Sequence, residues 1–92
     1  MARIIVERTH NLGRDAAREK AEQLAGKLAS EYGVRCEWRG DVLEVRRRGA
    51  DGRIEVEEGR VRVLLNLGLL LSAMGGSVQA QIERALDKAL EA

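Results

Sequence analysis

His10 is the one histidine in the chain, the side-chain type best suited to taking and giving a proton near neutral pH. Asn11 and Asp15 follow it closely. General-base work is one reading of this residue, and a structural hydrogen bond where a helix begins is the other. No serine, threonine or cysteine is spaced to serve as its nucleophile. Cys36 is the single cysteine. It alternates with charged neighbours as an inward residue, where a free thiol behaves as a small hydrophobe. A reactive thiolate needs a cationic, accessible setting. One Cys and one His cannot build a structural zinc site, and no internal disulfide can form. The chemistry therefore points to no cofactor and no metal.

Arg46-Arg47-Arg48 forms a short basic run. In a strand, Arg46 and Arg48 share one face and Arg47 falls near the strand end. Glu37, Glu44 and Glu55 are positioned to neutralise much of that charge. The chain carries only two aromatic residues, Tyr32 and Trp38. Stacking platforms for bases are thus missing, and nucleic-acid binding is not expected. Arg39-Gly40-Asp41 spells an adhesion tripeptide, but a hairpin turn calls for Gly-Asp anyway. Gly68 and Gly75-Gly76 lack the spacing and the Lys-Ser/Thr ending of a phosphate-binding loop.

The elements that carry these residues are legible from periodicity. Residues 3–8 are short and β-branched, with Ile4 and Val6 on the core side of a strand. Residues 12–32 follow a helical period. Ala17, Ala21, Leu24, Leu28 and Tyr32 form its apolar face, with Ala25 and Ala29 beside them. Asn11 is the expected N-cap and Gly33 the expected left-handed C-cap. From 34 to 67 the period becomes two. Val34, Cys36 and Trp38, then Leu43 and Val45, then Ile54 and Val56, then Val61, Val63, Leu65 and Leu67 point one way. Gly40-Asp41, Asp51-Gly52 and Glu58-Gly59 read as the turns. Ser77 is the expected cap of a second amphipathic helix through Val78, Ile82, Ala85, Leu86, Ala89 and Leu90.

This order is β-α-β-β-β-β-α. Two helices with one apolar face each must cover one apolar sheet face. The expected fold is α+β: a two-layer sandwich, an antiparallel five-stranded sheet with both helices on one face. Strand one pairs with strand five, giving a reduced helix-grip-like arrangement. The 92 residues form a single domain, 1–92.

Composition agrees with a globular chain. It is 45% hydrophobic and 34% charged, and 16 Lys+Arg against 15 Asp+Glu leave a formal net charge of +1. That balance argues against a strongly basic nucleic-acid binder. Thirteen of the basic residues are Arg, which favours networks with carboxylates. With no targeting pattern and no apolar run of the roughly 20 residues a transmembrane segment needs, a cytoplasmic protein is expected.

One stretch does not fit a simple connector. Leu69-Leu70-Leu71-Ser72-Ala73-Met74 is strongly apolar, and Leu64 points to the charged side of its strand. Either a short helical turn here completes the core, or Leu64, Leu67, Leu69, Leu70, Leu71 and Met74 form a contact surface. A homodimer satisfies the second reading with the fewest assumptions. Trp38 is read as a core anchor or as one wall of a small pocket with Leu43, Val63 and Leu86.

Taken together, several motifs resemble the polyhydroxyalkanoic acid system family. They are Glu7-Arg8-x-His10-x-Leu12-Gly13, Lys20-Ala21-Glu22 and Trp38-x-Gly40-Asp41-x-Leu43. Gly52-x-Ile54, Leu67-Gly68-x-Leu70-Leu71-x-x-Met74 and Ile82-x-x-x-Leu86-Asp87 complete the set. Its members are small bacterial proteins encoded near genes for storage-polyester synthesis. The resemblance implies a non-catalytic accessory role at or near polyester granules, with the granule surface or granule proteins as partners. It transfers no catalytic residue, and His10 and Trp38 match the pattern without a role. The alternative is a small lipid or acyl-ligand-binding domain. An enzyme built on His10 ranks last.

Overall fold

The computed structural model describes residues 2–91. Strand β1 (Ala2–Thr9) leads into helix α1 (Arg14–Tyr32). A meander follows: β2 (Arg35–Arg39), β3 (Val42–Arg47), β4 (Ala50–Val56) and β5 (Arg60–Leu67). A 3₁₀ turn (Ser72–Met74) then runs straight into helix α2 (Gly75–Ala89). The sheet order is β1-β5-β4-β3-β2, antiparallel throughout, as the alternation and the strand-one pairing predict.

Side chains on the inner face of the sheet line up in cross-strand rows. One row is Val6–Val63–Ile54–Leu43–Trp38, and the next is Ile4–Leu65–Gly52–Val45–Cys36. The last, at one end of the sheet, is Ala2–Leu67–Ala50–Arg47. Helix α1 covers β4 and β2 with Ala17, Ala21, Leu24, Ala25 and Leu28, and α2 covers β1 with Val78, Ile82 and Leu86. All eight are buried. The alanine stripe lets α1 approach closely, so a core almost without aromatics still closes.

The outer face is uncovered and ionic. Its rows mix signs: Glu7–Arg62–Glu55–Val42–Arg39 is one. Glu55 holds Arg53 at 2.8 Å, and Glu44 holds Arg39 at 3.1 Å and Arg46 at 3.3 Å. Such exposed pairs each contribute only about 0–1 kcal/mol, so they serve solubility more than stability.

Several sequence expectations are corrected. Asn11 does not cap α1: the helix starts later, after Gly13 (φ 83°), and no side chain caps it. Ser77 lies inside α2, because the 3₁₀ turn carries the helix back to Gly75. Ala29 is exposed, on the solvent side of the α1 stripe. Asp51-Gly52 is not a turn. The chain reverses at Arg48-Gly49, where Gly49 takes φ 85°, a left-handed conformation that side chains rarely adopt. Gly52 instead sits within β4. A Cβ there would lie 2.1 Å from the Leu64 carbonyl oxygen, so the backbones of β4 and β5 approach closely at this point. Gly33 ends α1 in the left-handed conformation, its N–H bonded to the Ala29 carbonyl at 2.9 Å, as expected.

Candidate functional site

The sheet end with the Ala2–Leu67–Ala50–Arg47 row is where the polar pattern and the apolar pattern meet. Two loops converge there. The Arg48-Gly49 turn accepts the Gly68 N–H on the Gly49 carbonyl at 2.7 Å. Gly68 in turn accepts the N–H groups of Leu71 and Ser72 at 3.1 and 2.9 Å. Ser72 Oγ donates to the Leu69 carbonyl at 3.0 Å. Leu69 and Leu70 are thereby the two central residues of a tight, multiply bonded turn. They point away from the protein, 83% and 93% exposed. Met74 is 45% exposed just beyond them.

The apolar loop thus splits in its behaviour. Its helical turn forms, as one reading expected, but Leu69 and Leu70 do not complete the core. Leu71 turns inward and packs on the core edge. Leu67, expected in the contact surface, is buried on the inner sheet face. Leu64 belongs to the other face, opposite Ile5, half-buried among ionic neighbours. Leu69, Leu70 and Met74 are the members of the expected surface that are exposed.

Behind this loop a cleft of about 290 Å³ opens between the layers. Its walls include Leu28 and Tyr32 from α1, Leu65 and Leu67 from β5, and Leu71 and Val78. Ala50 lies at the sheet side. It opens where the sheet row offers the small Ala50. Arg47 and Glu31 are its charged lining residues. Arg47 donates Nη1–H to the Tyr32 carbonyl at 2.7 Å and Nε–H to the Arg48 carbonyl at 3.2 Å. Among the described residues it has no carboxylate within ion-pair distance. The expected neutralisation of the basic run therefore holds for Arg46, through Glu44, but not for Arg47. Tyr32 donates its hydroxyl to Gln81 Oε1, which ties α1 to α2 across the cleft. Burial, and then the Glu31 carboxylate, push the Tyr32 phenol above its ordinary range.

The expected pocket lies elsewhere and is closed. Leu43, Val63 and Leu86 are packed solid in the core. Trp38 sits on the same inner row as Leu43 and Val63, but β2 is an edge strand that overhangs the helices. Trp38 is therefore half-buried and works as a clamp. Arg18 stacks on its ring with 3.9 Å to the centroid, and its Nε1–H donates to Glu22 Oε1 at 2.8 Å. Arg18 also donates to the Gly40 carbonyl at 2.6 Å and Asp41 Oδ1 at 3.1 Å, pinning the β2–β3 turn to α1.

The same overhang leaves Cys36 exposed, against the expectation of a buried thiol. Its Sγ lies 4.0 Å from the Ala25 carbonyl. Partial burial pushes the thiol above its ordinary range. A smaller thiolate fraction follows. Cys36 is expected to react with iodoacetamide at neutral pH more slowly than a cysteine in an unstructured peptide. A rate equal to the peptide's would contradict this.

His10 is held in the β1–α1 connection. Its Nδ1 accepts the Leu12 N–H at 3.1 Å, and its own backbone N–H donates to the Gly59 carbonyl at 3.0 Å. Accepting at Nδ1 puts the ring proton on Nε2 in the neutral form. Nε2 is buried with no hydrogen-bond partner. The ring does locally what Asn11 was expected to do, ordering the turn before α1. His10 follows β1 and Cys36 lies on β2, at opposite edges of the sheet. Four strand spacings separate those edges, about 19 Å. Among the described residues no group of three or more His, Cys, Asp and Glu is placed to hold a metal ion. No helix among them is long and apolar enough to cross a membrane.

Comparison with known proteins adds one finding. The family model described as "Putative polyhydroxyalkanoic acid system protein" matches residues 4–90. No curated protein and no solved structure matches the chain.

Proposed function

This chain belongs to the polyhydroxyalkanoic acid system family, and from that premise we propose that it serves storage-polyester metabolism as a non-catalytic accessory protein that self-associates. The contact is made by Leu69, Leu70 and Met74. The observation that carries the reading is the pair of adjacent leucines at 83% and 93% exposure on a hydrogen-bonded turn. The bonded turn has already ordered its backbone, so covering the two leucines costs chiefly side-chain entropy, and each buried one contributes about 1.5–3 kcal/mol. The protein works in the cytoplasm, where the same loop brings it to the granule surface or to granule proteins.

Light scattering over a concentration series tests self-association. The native chain is expected to reach twice the monomer mass. The double variant Leu69→Ser/Leu70→Ser is expected to stay monomeric with an unchanged melting temperature, since neither side chain supports the core. A native chain that remains monomeric throughout the series would remove the proposal. Sedimentation with isolated polyester granules, lost in the double variant, tests the location.

A further inference from the structure

Ile5 is the exposed large hydrophobic residue that lies outside the apolar loop. It is 46% exposed on the outer sheet face, opposite the half-buried Leu64, and its strand is an edge of the sheet. We propose that the free edge of β1 pairs antiparallel with the β1 edge of a second copy of this chain, about a two-fold axis at Ile5. The two five-stranded sheets then continue into each other. This contact is separate from the Leu69-Leu70 turn and does not rest on it.

The ladder decides which backbone groups are free. His10 donates its N–H to the Gly59 carbonyl at 3.0 Å, in register with the β1–β5 pairing. Hydrogen-bonded pairs alternate along an antiparallel ladder, so the even-numbered residues of β1 bond to β5. Arg3, Ile5 and Glu7 therefore turn their N–H and C=O groups to the open edge. The Glu57 N–H on the Arg60 carbonyl, at 2.8 Å, gives the same phase from the other side: even-numbered β5 residues bond to β4 and odd-numbered ones to β1. Arg8 Nη1 reaches the Glu7 carbonyl at 2.9 Å, and that oxygen keeps a second lone pair. Helix α2 lies on the inner face, out of the plane in which the edge bonds form.

Side chains select the partner and the register. The inner faces stay together only if odd-numbered residues meet odd-numbered ones. The two longest registers of that kind pair residues 2–8, or residues 3–9, with the same stretch of the partner. A two-fold at Ile5 gives the first. It sets Arg3 against the partner's Glu7, Ile4 against the partner's Val6, and Ile5 against the partner's Ile5. A two-fold at Val6 gives the second, which sets Ile5 against Glu7 and Ile4 against Arg8. Only the first matches apolar with apolar and cation with anion. It also runs Leu64 and Ile5 of both copies into one apolar row, with an Arg3–Glu7 pair on either side. Those charges are available. Arg3 has no carboxylate within ion-pair distance among the described residues; its Nε–H goes to Asn66 Oδ1 at 3.3 Å. Glu7 meets Arg60 and Arg62 only at 3.4 and 3.8 Å and stays partly exposed. The opposite edge differs. Centred on Glu37, the register that pairs the whole of β2, Arg35 would face Arg39 and Glu37 its own copy.

The seam is short. Two bonds at each of three residue pairs, an ion pair at either end and one apolar row fall below a standard interface, and it fills at chain concentrations on the order of 1 mM. Below about 0.1 mM it is mostly empty, and light scattering there reads the loop contact alone. Chains that carry both contacts link dimers into larger assemblies.

Sedimentation equilibrium from about 0.1 to 2 mM tests the seam, in the Leu69→Ser/Leu70→Ser chain so that the loop contact is absent. The average mass is expected to climb from the monomer toward the dimer. Adding Arg3→Glu, or Glu7→Arg, sets like charges opposite each other and should weaken association roughly tenfold. An equimolar mixture of those two variants restores both ion pairs across the seam and should associate as the parent does. Ile5→Cys with Cys36→Ser should form a disulfide-linked dimer under diamide, because paired Cα atoms stand about 5.5 Å apart. Arg3→Cys with Cys36→Ser should cross-link at least tenfold more slowly, its two copies lying about 13 Å apart along the strand. If Glu7→Arg does not fold, the cysteine variants decide. A parent chain that stays monomeric to 2 mM, a mixture no stronger than its components, or equal cross-linking at positions 3 and 5 would overturn the proposal. Its failure leaves the doubled mass of the native chain at low concentration untouched, and failure of the loop contact leaves the Ile5→Cys cross-link.

Discussion

Gly52→Ala is expected to lower stability by about 3 kcal/mol, which for a chain this size moves the melting temperature down by roughly 12–24 °C. The reason is the backbone. The added methyl would meet the Leu64 carbonyl oxygen at 2.1 Å and the Leu65 Cα at 2.9 Å. No rotamer change relieves a clash with main chain. Strands β4 and β5 must move apart in the middle of the Ile4–Leu65–Gly52–Val45–Cys36 row, and the ladder on both sides moves with them. A control sits in α1. Nothing lies within 4 Å of a Cβ built at Gly26, so Gly26→Ala should raise stability by about 0.5–1 kcal/mol through helix propensity. Thermal melts of the two variants should therefore shift in opposite directions. A Gly52→Ala protein melting within a few degrees of the native chain would refute the close approach.

Leu86→Ala should cost about 2–5 kcal/mol, against a total stability of roughly 5–14 kcal/mol for a domain of this length. Leu86 is fully buried and is one of three large side chains, with Val78 and Ile82, that seat α2 on the sheet. Few aromatics are available to close over the lost volume, and three of the five buried α1 residues are alanine. The cavity therefore stays open and its full cost is felt. In urea the midpoint should fall while the slope is unchanged, as expected when the native state weakens without altering the surface exposed on unfolding. A midpoint shift smaller than that of an exposed substitution such as Leu69→Ala would mean that α2 is not held by this face.

The architecture was readable because its main signals are periodic. Alternation in β5 places Val61, Val63, Leu65 and Leu67 inside without ambiguity. The α1 stripe fixes which side of the helix is dry. What failed were signals that depend on tertiary surroundings. Alternation correctly assigns Cys36 and Trp38 to the inner face, but it does not tell how far the helices reach over the edge strand β2, where Trp38 is half-covered and Cys36 exposed. Asp51-Gly52 has the composition of a turn, yet its glycine serves a close strand approach, and periodicity cannot distinguish these uses. The expected pocket was drawn from large inward residues. A cleft instead forms where the inner-face residue is small, as at Ala50. Small inner-face residues near a strand end, beside an unpaired Arg47, were the available signal.

Strand β1 finds its partner far along the chain: Val6 pairs with Val63. During synthesis at about 5–20 residues per second, the 57 residues after Val6 up to and including Val63 take roughly 3–11 s to appear. The hairpins from β2 to β5 close locally as they emerge, so β1 is the strand left waiting. Its charged Arg3, Glu7 and Arg8 keep that waiting segment wetted. Assembly of the sheet is then gated by the arrival of β5, and α2, which roofs β1, docks only after the gate has closed.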